Sequence, residues 1–181
     1  MRDLQVQWPR IKSRTTRIDP VELAALDGVK ARYHGDYHLG QVLVAENDFI
    51  ITDFEGEPAR TLAERRRKHS PLRDVAGMLR SLHYAAQATI RKIESGRPSD
   101  RNTIDAFARD WQERAATAFL RGYADAADEH GVYGANLEPA KPLIELFVLE
   151  KALYELRYEL DNRPSWVGLP IAGLLEALEP R

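Results

Sequence analysis

The sequence contains no cysteine. Disulfides and thiolate chemistry are therefore excluded, and a zinc ion would find only histidine and carboxylate ligands. No apolar run approaches the roughly 18 residues of a membrane-spanning helix. The opening, MRDLQVQWPR, has no apolar h-region and does not read as a secretory signal. Charge of one sign is also missing. Lys and Arg number 26 against 28 Asp and Glu, a formal net charge of −2, so no bulk field draws the chain to nucleic acid or to a membrane surface. Internal repeats and low-complexity tracts are absent. The expectation is a cytoplasmic protein with neither nucleic-acid nor membrane partners. With 181 residues, 44% of them apolar, the chain is long enough for one domain with a sizeable core.

What is present divides unevenly. Residues 1–18 alternate loosely (LQVQW, then IKSRTTRI) and read as extended or irregular. IDPVELAAL reads as a short helix, with Asp19 as N-cap, Pro20 as first helical residue and Glu22 at the third position. QVLVA and FIITDF, within 42–54, read as two strands joined by a tight turn at END. From PLRDV onward the period becomes helical. Val75, Met78, Leu79 and Leu82 recur on one face, and Gly96 with Pro98 ends that helix. A second long helix starts at Asn102 or Thr103 and closes at Gly131. A third runs through LIELFVLEKALYELRYELDN and stops near Pro164, and PIAGLLEALE forms a short last one. The fold class is mainly α (α+β): residues 1–30 as an extended segment and short helix, then a lobe over 31–181 made of a hairpin region (32–58) and a helical subdomain (70–181).

The hairpin carries the chemistry. Asp36 precedes the first strand and Asp53 lies near the end of the second. In an antiparallel pair these ends are neighbours, so the carboxylates can meet. Gln41 begins the first strand and can aim an amide oxygen at the same point. Oxygen ligands without cysteine suit Mg²⁺ better than zinc.

The spacing is specific. A protein-kinase catalytic loop reads H-R-D-x-x-x-x-N and is followed by D-F-G on the next strand. Here His34-Gly35-Asp36 is followed by Gln41, five residues past the aspartate, and then by Asp53-Phe54-Glu55. Glycine after the histidine resembles the aminoglycoside phosphotransferase branch of the kinase-like fold, while glutamine at the metal position departs from the commoner asparagine. HGDYHLGQVL, DFEGEP, KHSPLRDVAGMLRSL and EKALYELRYELDNRPSW, in that order, resemble the C-terminal lobe of bacterial maltokinases, enzymes that also occur fused to trehalose synthase. The resemblance covers about residue 30 to the end.

It implies a helical C-lobe of a protein-kinase-like fold and transfer of the ATP γ-phosphate to maltose. Asp36 would accept the proton of the attacking hydroxyl, with His34 beside it, and Gln41, Asp53 and Glu55 would hold Mg²⁺. Asp74 would brace the catalytic loop. The 30 preceding residues contain one glycine, Gly28, and no glycine-rich phosphate loop, so the expectation is a C-lobe without its ATP-binding N-lobe. An N-lobe or a trehalose synthase domain is then a candidate partner. The alternative is a non-catalytic, kinase-like module.

Simpler readings stand beside these. His34 can brace a turn, Glu55 can cap one, and Asp74 suits the positive end of a helix. His38 reads as structural, and ERRRKH (64–69) as a solvated face. Lys151, Tyr154 and Tyr158 share one stripe of the third helix and suit a sugar, or else form a helix rim. Leu149, Leu153, Leu156 and Leu160 form a second stripe, expected to face the core.

Overall fold

The computed structural model describes residues 2–15, 30–58, 60–94, 101–132 and 136–178. The short helix expected at IDPVELAAL and the helix stop expected at Gly96 and Pro98 lie outside them. Six α-helices and one hairpin are described: α1 (Arg2–Thr15), β1 (Val42–Ala45), β2 (Asp48–Ile51), α2 (Leu62–Arg65), α3 (Leu72–Glu94), α4 (Arg101–Glu129), α5 (Lys141–Asn162) and α6 (Gly168–Glu176). Among the described residues, no helix is long and apolar enough to cross a membrane.

The long helices begin and end where local chemistry dictates. Pro71 and Ser70 open α3: the Ser70 hydroxyl accepts the Leu72 N–H, and the Pro71 carbonyl accepts that of Asp74. Gly131 closes α4 in the left-handed conformation, φ 64°, with the Val132 N–H returning to the Ala127 carbonyl at 2.8 Å. That is the hydrogen bond of a glycine-terminated helix. Pro142 lies in the first turn of α5, and Arg163-Pro164 ends it.

Three small apolar clusters hold the helices together. Leu72 and Val75 of α3 meet Leu143 and Ile144 of α5, with Phe119, Leu120 and Tyr123 of α4 against them. Ala86 and Ile90 of α3 pack on Ala108 of α4. Ile11 of α1 joins Leu149 and Ala152 of α5 and Leu174 and Leu178 beyond it.

This last cluster explains why residues 1–18 do not form an extended segment, as their alternation suggests. Residues 2–15 are helical despite Pro9 within the helix. Trp8 and Ile11 are three apart, and burying Ile11 (2% exposed), together with an Arg10 bond to the Leu178 carbonyl at 2.9 Å, outweighs the local strand-like pattern. Tertiary contact overrides propensity here.

The Leu stripe of α5 also needs correction at its end. Leu149 is buried and Leu153 and Leu156 pack against the same cluster, but Leu160 is 46% exposed and Glu159 takes the inward position. Glu159 lies two turns beyond the fully buried Ala152, on the same face. Its carboxylate is satisfied there by the Tyr84 hydroxyl at 3.0 Å and by the Arg163 guanidinium at 2.5 and 2.9 Å.

The hairpin pairs Val42 with Ile51, Leu43 with Ile50, Val44 with Phe49 and Ala45 with Asp48. Its turn is Glu46-Asn47, with Glu46 at φ 56°, so Asp48 belongs to β2 and not to the turn. β2 ends at Ile51, short of the expected FIITDF, because Asp53 adopts φ 62° and breaks the extended run.

Gly77 fixes the loop against α3. A Cβ there would lie 2.6 Å from the Tyr37 carbonyl oxygen. Gly77→Ala should therefore destabilise the chain by about 1–3 kcal/mol, the usual range for overpacking, although alanine is the better helix former by about 0.5–1 kcal/mol. Denaturant midpoints of the two proteins measure this. An increase in stability would mean that the loop does not rest on α3.

Candidate active site

The loop 34–41 is held by backbone geometry and by one carboxylate. Gly35 has φ 87°, and a Cβ there would meet the Gly56 Cα at 3.2 Å, so both the turn and the close approach require glycine. Asp74, in the first turn of α3, accepts the His34 N–H at 2.6 Å and the Gly35 N–H at 2.9 Å, one on each oxygen. Burial pushes the Asp74 carboxyl above the usual carboxylate range, against the two N–H bonds, which act to lower it.

His34 is buried. Its Nε2 lies 2.7 Å from the Thr52 carbonyl, and its Nδ1 accepts the Asp36 N–H at 3.3 Å. The two bonds together place the imidazole proton on Nε2. The ring thus joins the start of the loop, the Asp36 backbone and the exit of β2. His38 accepts the Gly40 N–H on Nδ1, forming a cap, and its Nε2 is 3.8 Å from Asp36 Oδ2.

Around the Asp36 side chain, α5 supplies a second wall. Lys151 Nζ donates to Asp36 Oδ1 at 3.0 Å and lies 3.5 Å from Glu57 Oε2. The same ammonium is 4.9 Å from the Tyr154 ring centroid, and the Tyr154 hydroxyl donates to Glu57 Oε1 at 2.8 Å. Burial, then the bond to Glu57, raises the Tyr154 hydroxyl pKa well above its ordinary value. Two carboxylates, one cation and one phenol therefore converge in a half-buried recess. Tyr158 stands apart: it is 45% exposed, and its ring lies under the Arg163 guanidinium at 5.6 Å.

On the hairpin side, Gln41 Nε2 donates to Asp53 Oδ2 at 2.9 Å. Among the described residues no three His, Asp or Glu side chains converge as a metal cage. The pair still fits Mg²⁺, which commonly takes one or two protein oxygens and completes its six ligands with phosphate and water. A half-turn of the Gln41 amide, whose O and N are assigned by hydrogen bonding, puts Oε1 beside the carboxylate. Glu55 is exposed, and its backbone carbonyl accepts from Arg65 at 3.2 Å. The basic run 64–69 is largely exposed.

Glu57 was not singled out from the sequence, although DFEGEP contains it. The signal was its distance of four residues from Asp53, just past Gly56, whose φ of 80° turns the chain back toward the loop.

No family model matches the chain. It is 35% identical over 147 residues to a glucosamine kinase of Mycolicibacterium smegmatis, covering 81% of this chain and 34% of that protein. It is 29% identical over 178 residues to a glucosamine kinase of Streptacidiphilus jiangxiensis, covering 95% of this chain and 38% of that one. Among solved structures, a glucosamine kinase in complex with glucosamine, ADP and inorganic phosphate superposes with a TM-score of 0.63 at 26% identity, over 97% of this chain and 41% of that chain. A crystal form of glucosamine kinase gives 0.67 at 25% identity, over 99% and 39%. The chain thus spans between about a third and two-fifths of the relatives it matches. These similarities relate it to sugar kinases.

Asp74→Asn should leave one of the two loop N–H groups facing an amide NH₂. Hydrogen bonds to charged groups contribute about 1.5–3 kcal/mol, so a loss of that size is expected in chemical denaturation, with faster hydrogen exchange at the His34 and Gly35 amides. Unchanged exchange at both would show that the loop is held elsewhere.

Proposed function

We propose that this chain is the acceptor-binding, catalytic lobe of an ATP-dependent sugar kinase whose acceptor is an amino sugar of the glucosamine type. The observation that carries the reading is Asp36, fixed by the Asp74-held loop and facing Lys151, Glu57 and Tyr154. Its Oδ1 is engaged by Lys151, and Oδ2, 3.8 Å from His38 Nε2, is the oxygen left for a sugar hydroxyl. As that hydroxyl attacks the γ-phosphorus, the new O–P bond forms, the bond to the ADP oxygen breaks, and the proton passes to Asp36. Lys151 holds the carboxylate in place through Oδ1. His34 orients the loop through its two ring nitrogens and does not itself exchange a proton.

Asp53 and Gln41 are the residues that would hold Mg²⁺. When bound, the ion neutralises phosphate charge, the main requirement of this chemistry besides positioning. Tyr154 and Glu57 offer a ring face, a phenol and a carboxylate to the acceptor. The carboxylates of Asp36 and Glu57 already surround one ammonium, that of Lys151, and suit the amino group of an amino sugar. The relatives named glucosamine kinase support the same acceptor. Maltose is the second reading, supported by the order of the motifs from HGDYHLGQVL to NRPSW. Association with an N-lobe or a trehalose synthase domain belongs with these readings.

A chimera in which this chain replaces the matching segment of the Mycolicibacterium smegmatis glucosamine kinase tests the reading. It should phosphorylate glucosamine in preference to maltose; the reverse preference would install the maltose reading. In that chimera Asp36→Asn should lower kcat by about 10²–10⁴-fold at an unchanged melting temperature. Activity within a few-fold of the parent removes Asp36 from the role of base.

Tyr154→Phe removes the bond to Glu57 and keeps the ring. In the same chimera the KM for the sugar should rise about 10-fold or more, the scale of one hydrogen bond to a charged group, with the KM for ATP within two-fold. Equal changes in both would make Tyr154 a packing residue.

A further inference from the structure

Behind the acceptor wall lies a group of charges that the chemistry above does not use. Arg80 of α3 is buried. Its guanidinium forks onto Glu155 of α5, with Nη2 to Oε2 at 2.6 Å and Nε to Oε2 and Oε1 at 3.2 and 3.3 Å. Its Nη1 meets His83 Nδ1 at 3.2 Å, and His83 Nε2 lies 2.9 Å from Glu176 of α6. A methyl group at Gly173 of α6 would overlap this guanidinium, so a glycine there makes room for it.

We propose that Arg80 is a positioning residue that sets the rotation of α5 about its axis and so delivers Lys151 and Tyr154 to Asp36; this rests on reading that recess as the acceptor site. Glu155 is one turn beyond Lys151, offset by roughly 40° around the helix, and adjacent in sequence to Tyr154. Whatever fixes the direction of Glu155 fixes the direction of both. Arg80 stands six residues after Asp74 on the same helix, roughly 9 Å along its axis. α3 therefore holds the two sides of the recess from one rigid body, the loop through Asp74 and α5 through Arg80. A two-pronged ionic contact resists rotation, whereas an apolar pair of equal volume tolerates it.

The test uses this chain with no sugar present. Lys151 lies over the Tyr154 ring, so its ε-methylene resonance should be shifted upfield from that of free lysine. In the double variant R80M/E155M, apolar replacement of the buried pair should keep the melting temperature within a few degrees of the parent, while the Lys151 resonance returns to the free-lysine position. A folded double variant that keeps the upfield shift overturns the proposal. If the double variant does not fold, R80K decides: it keeps the charge and loses the fork, and should reduce the shift by at least half, with an undiminished shift overturning the proposal. In the chimera described above, R80K should also raise the sugar KM by about 10-fold with the ATP KM unchanged, and equal changes would reduce Arg80 to a purely structural role. The resonance reports position without any acceptor, so this proposal and the acceptor reading can fail separately.

Discussion

Two oxygens of Asp74 hold the loop on which the site depends. The carboxylate sits in the first turn of a 23-residue helix and takes two successive backbone N–H groups from a loop 40 residues earlier. Burial pushes its carboxyl above the usual range, and the two N–H bonds to the carboxylate offset part of that cost. From that anchor the other constraints follow. His34 is placed against Thr52, Asp36 is placed against Lys151, and the Tyr37 carbonyl rests in the gap left by Gly77.

The helices are joined by buried polar groups as much as by apolar ones. The apolar clusters are separate and modest in size. Between them run Arg80 with Glu155 and Glu159 with Tyr84 and Arg163. Burial, and then the hydrogen bond to Glu159, pushes the Tyr84 hydroxyl up to about 12. Such pairs contribute little net stability relative to apolar residues of the same volume, but they are costly to break one side at a time. They tie α3 to α5 at two points, one through Arg80 and one through Tyr84.

The hairpin follows a different rule. Val44 and Phe49 are 73% and 70% exposed, so burial does not hold it in place. It is tied at its base instead, where Thr52 donates to the Gln41 carbonyl at 2.9 Å and the Thr52 carbonyl meets His34. The candidate metal pair, Gln41 and Asp53, sits at that base. The hydrogen-bonded base of the hairpin is therefore the end that holds the candidate pair, and the strands carry Val44 and Phe49 out into solvent.

The sequence by itself determined the long helices, the boundaries at Gly131 and Pro164, and the spacing that sets His34, Asp36, Gln41 and Asp53 around one hairpin. Each of these depends on residues close in the chain, where periodicity and turn chemistry act directly. It did not determine that residues 2–15 form a helix, that Leu160 faces solvent while Glu159 is buried, or that Glu57 and Arg80 stand behind Lys151. Those outcomes depend on partners far apart in sequence, 115 residues in the case of Asp36 and Lys151. Only the packed structure decided them, because a carboxylate or a guanidinium is buried where groups distant in the chain complete its hydrogen bonds, and no local pattern encodes where those partners will be.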